Sequence, residues 1–172
     1  LVATDGYRLA MRELAGPKGS DGSQFLIPAR ALAELGRILD MSDEIVIRFN
    51  DIDASFQSPK MMLSTRLINA DYPPYQSIIP KNNTNTVTVN REELLDALRR
   101  TRVLASDMTP VRMRMSDEGI RLTVQLTDGS TSVEDLDAQF SGEDITVAFN
   151  SEYLANGVDA CGGEEVVIST SL

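Results

Sequence analysis

Residues 87–98 read Val87-Thr88-Val89-Asn90 and then, without a break, Arg91-Glu92-Glu93-Leu94-Leu95-Asp96-Ala97-Leu98. The first four residues alternate β-branched and polar positions as a strand does, and the next eight set Leu94, Leu95 and Leu98 on one helical stripe, which Leu104 extends. Asn90 stands where a helix cap accepts the first free N–H groups, and Glu93 follows at capping-box spacing. The same passage from strand into helix recurs at intervals of about sixty residues. Phe25-Leu26-Ile27-Pro28 leads to a helix expected from Ala29, and Ile145-Thr146-Val147-Ala148-Phe149-Asn150 leads to one expected from Ser151. Pro28 suits a helix start, where its missing N–H costs nothing, and Asn150 is a second cap. Leu32, Leu35, Ile38 and Leu39 form the apolar stripe of the first helix, and Gly162-Gly163 stops the third.

Strands follow each helix. Glu44–Phe49 turns at Asn50-Asp51 into Ile52–Gln57 and then Met62–Ile68. Val111–Met115 turns at Asp117-Glu118-Gly119 into Ile120–Leu126 and Thr131–Leu136, and Glu165–Thr170 closes the third set. Alternation along these runs predicts sheets with one buried and one solvated face. Thr4-Asp5-Gly6 recurs as Thr127-Asp128-Gly129, so residues 1–10 read as the closing strands of an earlier unit. The fold class is therefore α+β, built from repeated units of strand, helix and antiparallel strands, with helices on one face of the sheets. The Pro- and Asn-rich stretch around Tyr72-Pro73-Pro74-Tyr75 marks the best boundary. It predicts one domain over 1–71, a linker over 72–81 and a second domain over 82–172.

The 172 residues, 42% hydrophobic and 24% charged, suit a globular chain. Mass scaling predicts a folded surface of about 8,300 Å² against roughly 27,000 Å² extended. The chain has no histidine, so Ser-His and Cys-His nucleophilic catalysis are excluded within it. One cysteine, Cys161, excludes an internal disulfide and is expected to be a small, at least half-buried residue. Met61, Met62, Met113 and Met115 are read as core or sheet-face filler. No apolar run reaches the roughly 18–20 residues of a membrane span. The chain opens without a methionine or leader and reads as part of a longer, soluble, intracellular protein.

Net charge is −10, which argues against a surface that grips phosphates all over. Only Lys18, Lys60 and Lys81 are lysines; the other basic residues are arginines. Arg91, Arg99, Arg100 and Arg102 form the clearest basic cluster. With Glu92, Glu93 and Asp96 at the helix start, and Asp96 four residues before Arg100, that cluster is equally well explained by helix-dipole and side-chain pairing. Acidic pairs such as Glu134-Asp135 and Glu143-Asp144, with Asp137, fall in edge-strand or turn contexts, where charge is ordinary.

Four segments, in order and spacing, resemble the bacterial sliding clamp, the beta subunit of DNA polymerase III. They are Val2-Ala3-Thr4-Asp5-Gly6-Tyr7-Arg8-Leu9-Ala10, Leu26-Ile27-Pro28-Ala29-Arg30, Leu67–Tyr75 leading to Ile79-Pro80-Lys81, and Phe149-Asn150-Ser151-Glu152-Tyr153-Leu154. The resemblance implies a ring of two head-to-tail subunits around duplex DNA, contacted without sequence preference, with helices lining the hole. Residues 1–71 would be the later part of the middle domain and 82–172 the larger part of the last, without its terminal strands. It also implies a hydrophobic cleft where the replicative polymerase, clamp loader and repair proteins dock short linear motifs. Thr4, Gly6, Tyr7, Arg8, Leu9, Pro73 and Ile78 fall on cleft positions; Tyr7 replaces a frequent histidine, and Ser77 stands where a basic residue can occur. Arg30, Arg37, Arg99 and Arg100 would face the DNA. The resemblance implies a cytoplasmic, nucleoid-associated protein with no catalytic residue, cofactor, metal or membrane partner. Two other readings stay open: an acidic, β-rich protein-interaction module without a DNA role, and, weakened by the absence of histidine and of a phosphate-cradling loop, an enzyme.

Overall fold

The structure, a computed structural model, describes residues 1–16, 22–39, 44–104, 109–126 and 128–171. It divides into two compact units, Leu1–Gln76 and Ser77–Leu172.

In the first unit β1 (Val2–Thr4) and β2 (Leu9–Met11) pair antiparallel with Thr4 opposite Leu9. Helix α1 (Ala29–Ile38) starts after Pro28, which caps it without a side-chain hydrogen bond. Strands β3 (Val46–Phe49), β4 (Asp53–Gln57) and β5 (Met62–Arg66) form an antiparallel sheet in that order. The Asn50 side chain accepts from the Ile52 and Asp53 N–H groups at 2.8 and 2.7 Å, closing the expected turn. The core here is thin: Leu35, Ala54 and Phe56 are buried, whereas Leu32 and Ile38 of the predicted stripe are 38% and 54% exposed. One helix on one three-stranded sheet has too little opposing surface to cover the stripe. Phe25–Pro28, expected as a strand, is not one. Leu26 accepts a single backbone hydrogen bond from Ile68 at 2.8 Å, and Phe25 stacks on Phe49 at 3.9 Å between ring centroids. Met62 is also exposed, not filler.

The second unit holds two interlocked sets. Strand β6 (Asn85–Asn90) leads directly to α2 (Arg91–Leu104), followed by β7 (Val111–Ser116), β8 (Gly119–Gln125) and β9 (Thr131–Leu136). After one residue comes β10 (Ala138–Ser141), a strand the sequence reading missed, then β11 (Ile145–Phe149), α3 (Ser151–Ala160) and β12 (Glu165–Thr170). The sheets run β10-β6-β12 and β11-β7-β8-β9. Each helix's leading strand thus lies in the sheet of the other set, and all pairings are antiparallel. Both caps form: Asn90 accepts from Glu93 N–H at 3.1 Å, and Asn150 from Glu152 and Tyr153 N–H at 2.9 and 3.1 Å. Leu94, Leu95 and Leu98 join Val111, Met113, Met115, Leu122 and Val166 in one continuous core. The side chain of Leu104 and residue Thr127 lie outside what is described. Cys161 is exposed, its thiol directed at Gly157 O at 3.3 Å, which corrects the buried reading. Among the described residues no helix is long and apolar enough to cross a membrane.

Total accessible surface is 12445 Å², well above the about 8,300 Å² that mass scaling predicts for one compact body. Counting the two units as two bodies raises that expectation only to about 10,000 Å², so the division accounts for part of the excess.

Candidate functional site

Of the six expected cleft positions in the first unit, five sit on one hairpin. Gly6 has φ +89°, the left-handed region that glycine enters without a Cβ penalty, and the turn closes around it. The Thr4 hydroxyl accepts from Gly6 N–H at 3.1 Å and donates to Arg8 O at 2.8 Å. Asp5 Oδ1 accepts from the N–H groups of Tyr7 and Arg8, both at 3.0 Å, and Asp5 Oδ2 takes Arg8 Nε at 2.9 Å. These donors hold the Asp5 carboxyl below its usual range, the backbone N–H groups of Tyr7 and Arg8 first and the Arg8 guanidinium after them. The turn is therefore stiff, and it presents the Tyr7 ring, 83% exposed, beside half-buried Leu9. Pro73 precedes a 3-10 turn, Tyr75–Ser77, where its carbonyl accepts from Tyr75 N–H at 2.7 Å and the Tyr72 and Tyr75 rings meet edge to face at 6.3 Å. Ile78, the second residue of the other unit, is 63% exposed. The hairpin gathers Thr4, Gly6, Tyr7, Arg8 and Leu9; Pro73 and Ile78 stand on separate stretches.

The four arginines expected to face DNA lie on two helices. All four are exposed, and three are already paired. Arg37 Nη1 reaches both oxygens of Glu34 at 3.2 Å, and Arg99 pairs with Asp96 at 2.7 Å. Arg100 does not take Asp96 as the spacing suggested. It crosses to Glu134 of β9, placing Nε and Nη2 at 3.0 and 2.8 Å from a single oxygen. Arg30 has no carboxylate partner among the described residues, and it stands in the first turn of α1, where the helix dipole disfavours a cation. Arg91, counted in the basic cluster, is structural: mostly buried, it binds Val158 O, Asp159 O and the Asp159 carboxylate, pinning the end of α3 to the start of α2, and also pairs with Glu92.

Glu134 is the participant that sequence reasoning missed. It lay unassigned in an acidic pair, but strand parity carried a signal: Ser132, Glu134 and Leu136 share the inward face of β9, against which α2 packs. The acidic pairs themselves hold cations. Asp135 pairs with Arg121 at 2.6 Å and Asp144 with Arg114 at 2.8 Å. Among the described residues no group of three or more acidic or cysteine side chains is placed to hold a metal.

The DNA polymerase III beta subunit profiles match this chain twice in succession, the central domain over residues 1–74 and the C-terminal domain over 76–171. The chain belongs to the DNA polymerase III beta subunit family. A beta sliding clamp from Streptococcus pneumoniae is 31% identical over 172 residues, covering 98% of this chain and 46% of the relative. The solved structure of the DNA polymerase III beta chain from that species superposes with a TM-score of 0.89 at 31% identity, over 98% of this chain and 46% of that one. A sliding clamp from Bartonella birtlesii, solved bound to griselimycin, has a TM-score of 0.87 at 28% identity, over 96% of this chain and 46% of that one. The chain thus spans about half the length of the curated relatives it matches. Its helices and antiparallel sheets are those of the sliding-clamp fold.

Proposed function

We propose that this chain is part of a sliding-clamp processivity factor, a ring subunit that tethers the replicative polymerase to duplex DNA by topology and does no chemistry itself. The succession of two adjacent beta-subunit domains along one chain carries this reading. Residues 1–71 form the later part of the middle domain and 82–172 the larger part of the last, joined by 72–81. Two complete subunits close head to tail, and the protein works in the bacterial cytoplasm on the nucleoid. Arg30, Arg37, Arg99 and Arg100 face the DNA through helices α1 and α2. Such contacts are few, salt-sensitive and blind to sequence, as a moving ring needs. The acidic remainder of a chain carrying −10 repels DNA from any other surface.

Polymerase, clamp loader and repair proteins dock short linear motifs against the Thr4–Leu9 hairpin, Pro73 and Ile78. Apolar anchors fill pockets there, and backbone bonds set direction. The stiff, exposed turn that presents Tyr7 beside Leu9 supports this assignment. That the Bartonella birtlesii clamp is solved bound to griselimycin is consistent with a ligand-binding site on such a clamp.

The test uses the complete subunit. Loaded on circular DNA it is retained, and it is released when the circle is cut; equal loss from both forms removes the ring reading. Fluorescence anisotropy with a Gln-Leu-x-Leu-Phe peptide tests the cleft, where Leu9→Ala and Ile78→Ala each weaken binding at least tenfold. Unchanged affinity in both variants removes these residues from the site.

A further inference from the structure

The pairing of Arg100 differs in kind from that of its neighbours. Asp96 and Arg99 sit three residues apart on one helix, so whatever approaches α2 meets both charges together. Glu134 instead belongs to the sheet. It projects from the inward face of edge strand β9, with only 24% of its side chain exposed, and takes the Nε and Nη2 donors of an arginine thirty-four positions away in sequence. That Nε–Nη2 edge is the one a guanidinium offers to a phosphate or a carboxylate, and one edge closes on one acceptor at a time. The Arg100 hydrogen bond holds the Glu134 carboxyl below its usual range, so the competitor stays ionised wherever the protein works.

We propose that Glu134 is a built-in competitor for Arg100: its carboxylate occupies the guanidinium edge that would otherwise close on a DNA phosphate, and so loosens the grip of α2 on duplex DNA. This rests on the DNA-facing reading of α2 given above. Glu134 acts only through Arg100 and is a positioning residue. A ring that must move along DNA gains from a cation that attracts at a distance yet rarely locks onto a single phosphate.

The experiment is equilibrium binding of the complete subunit to a short fluorescent duplex across a salt series, with Glu134→Gln, Arg100→Ala and the double variant. Glu134→Thr serves as a second release variant, and melting curves confirm folding. The expected result is about two- to fivefold tighter binding for Glu134→Gln at low salt, the range set by an exposed ion pair. The log affinity against log salt slope steepens by about 0.9, one added phosphate contact. Arg100→Ala then costs at least twofold more in the Glu134→Gln background than in the parent protein. A purely structural tie would move the melting temperature and leave the slope alone. If Arg100→Ala costs the same in both backgrounds and the slope does not move, the competitor role is overturned while the DNA-facing reading stands. If neither Arg100→Ala nor Arg30→Ala changes binding in any background, both are overturned.

Discussion

In residues 77–172, α2 and α3 pack on each other and over two sheets, and buried side chains drawn from Val87 to Val166 join in one cluster. In residues 1–76, one helix meets one three-stranded sheet and closes over Leu35, Ala54 and Phe56. The parts are alike; the difference is that the second unit has two sets, each placing its leading strand in the other's sheet. A single set carries more apolar surface than it can cover, and pairing sets supplies the missing wall. Leu98→Ala should therefore cost about 3–5 kcal/mol, the upper part of the range for a leucine with no room to relax around the cavity. Leu35→Ala, at the margin of a thin core, should cost about 2 kcal/mol or less. Denaturant titration followed by hydrogen exchange in each unit checks both. Equal costs would mean the first unit is as tightly packed as the second.

Glycine turns sharpen the contrast. Gly142, at φ +130°, lies so close to Asn85 that a Cβ would overlap its side-chain amide, which is itself held by Glu143 N–H at 3.0 Å. Gly6, at φ +89°, has nothing within 4 Å of the place a Cβ would take. Gly142→Ala should cost about 2–3 kcal/mol, from strain and overlap together. Gly6→Ala should cost about 1 kcal/mol, from backbone strain alone. Thermal melts of the two variants give the comparison directly; a larger loss at Gly6 would show that the hairpin turn is packed in ways its open surroundings do not reveal.

Helix caps make a smaller difference of the same kind. Asn150 receives two N–H groups at the start of α3, and its replacement by alanine should cost about 1 kcal/mol. Pro28 gives α1 no side-chain acceptor, so Pro28→Ser should be neutral or gain up to about 1 kcal/mol. Circular dichroism melts of both variants decide it, and a clear loss at Pro28→Ser would show that the fixed proline φ matters more to α1 than a cap.

What the sequence disclosed follows from how far each signal reaches along the chain. Asn90, Asn150 and the alternation of Glu165–Thr170 act within a few residues, and all appear where local patterns place them. The α1 stripe was equally plain, but burial of Leu32 and Ile38 depends on a facing surface that no local pattern encodes. β10 escaped notice because one residue, Asp137, separates it from β9, and Ala138–Ser141 reads as a continuation. Phe25–Pro28 is not a strand although it looks like one, because an apolar extended run has the same composition whether or not it finds a sheet. For the candidate surfaces the pattern was similar. The hairpin of Thr4–Leu9 was legible as a turn, whereas the choice of Glu134 over Asp96 by Arg100 is a long-range contact set by how α2 packs on β9.

The smallest expected effect separates two turns of shared sequence. Asp5 and Asp128 each precede a glycine at φ +89°, and each carboxyl is held below its ordinary value of 3.8 by accepted hydrogen bonds. The causes differ beyond that. Asp128 relies on the backbone and hydroxyl of Ser130, while Asp5 has the N–H groups of Tyr7 and Arg8 and, in addition, the Arg8 guanidinium. A carboxyl whose folded value is depressed adds stability above its unfolded value and loses it as pH falls through the folded one, so both turns are fully braced above pH 3.8 and loosen below it. Salt screens a charge more than it weakens a hydrogen bond to the backbone. High salt should therefore shift the Asp5 midpoint upward, only partway toward 3.8, and leave Asp128 in place. Carboxyl-carbon NMR titrations at low and high salt measure this. A shift at Asp5 that removes the whole depression would make the Arg8 pair its main brace and leave the Tyr7 and Arg8 N–H groups secondary. The hairpin that presents Tyr7 would then soften in salt as the Asp128 turn does not.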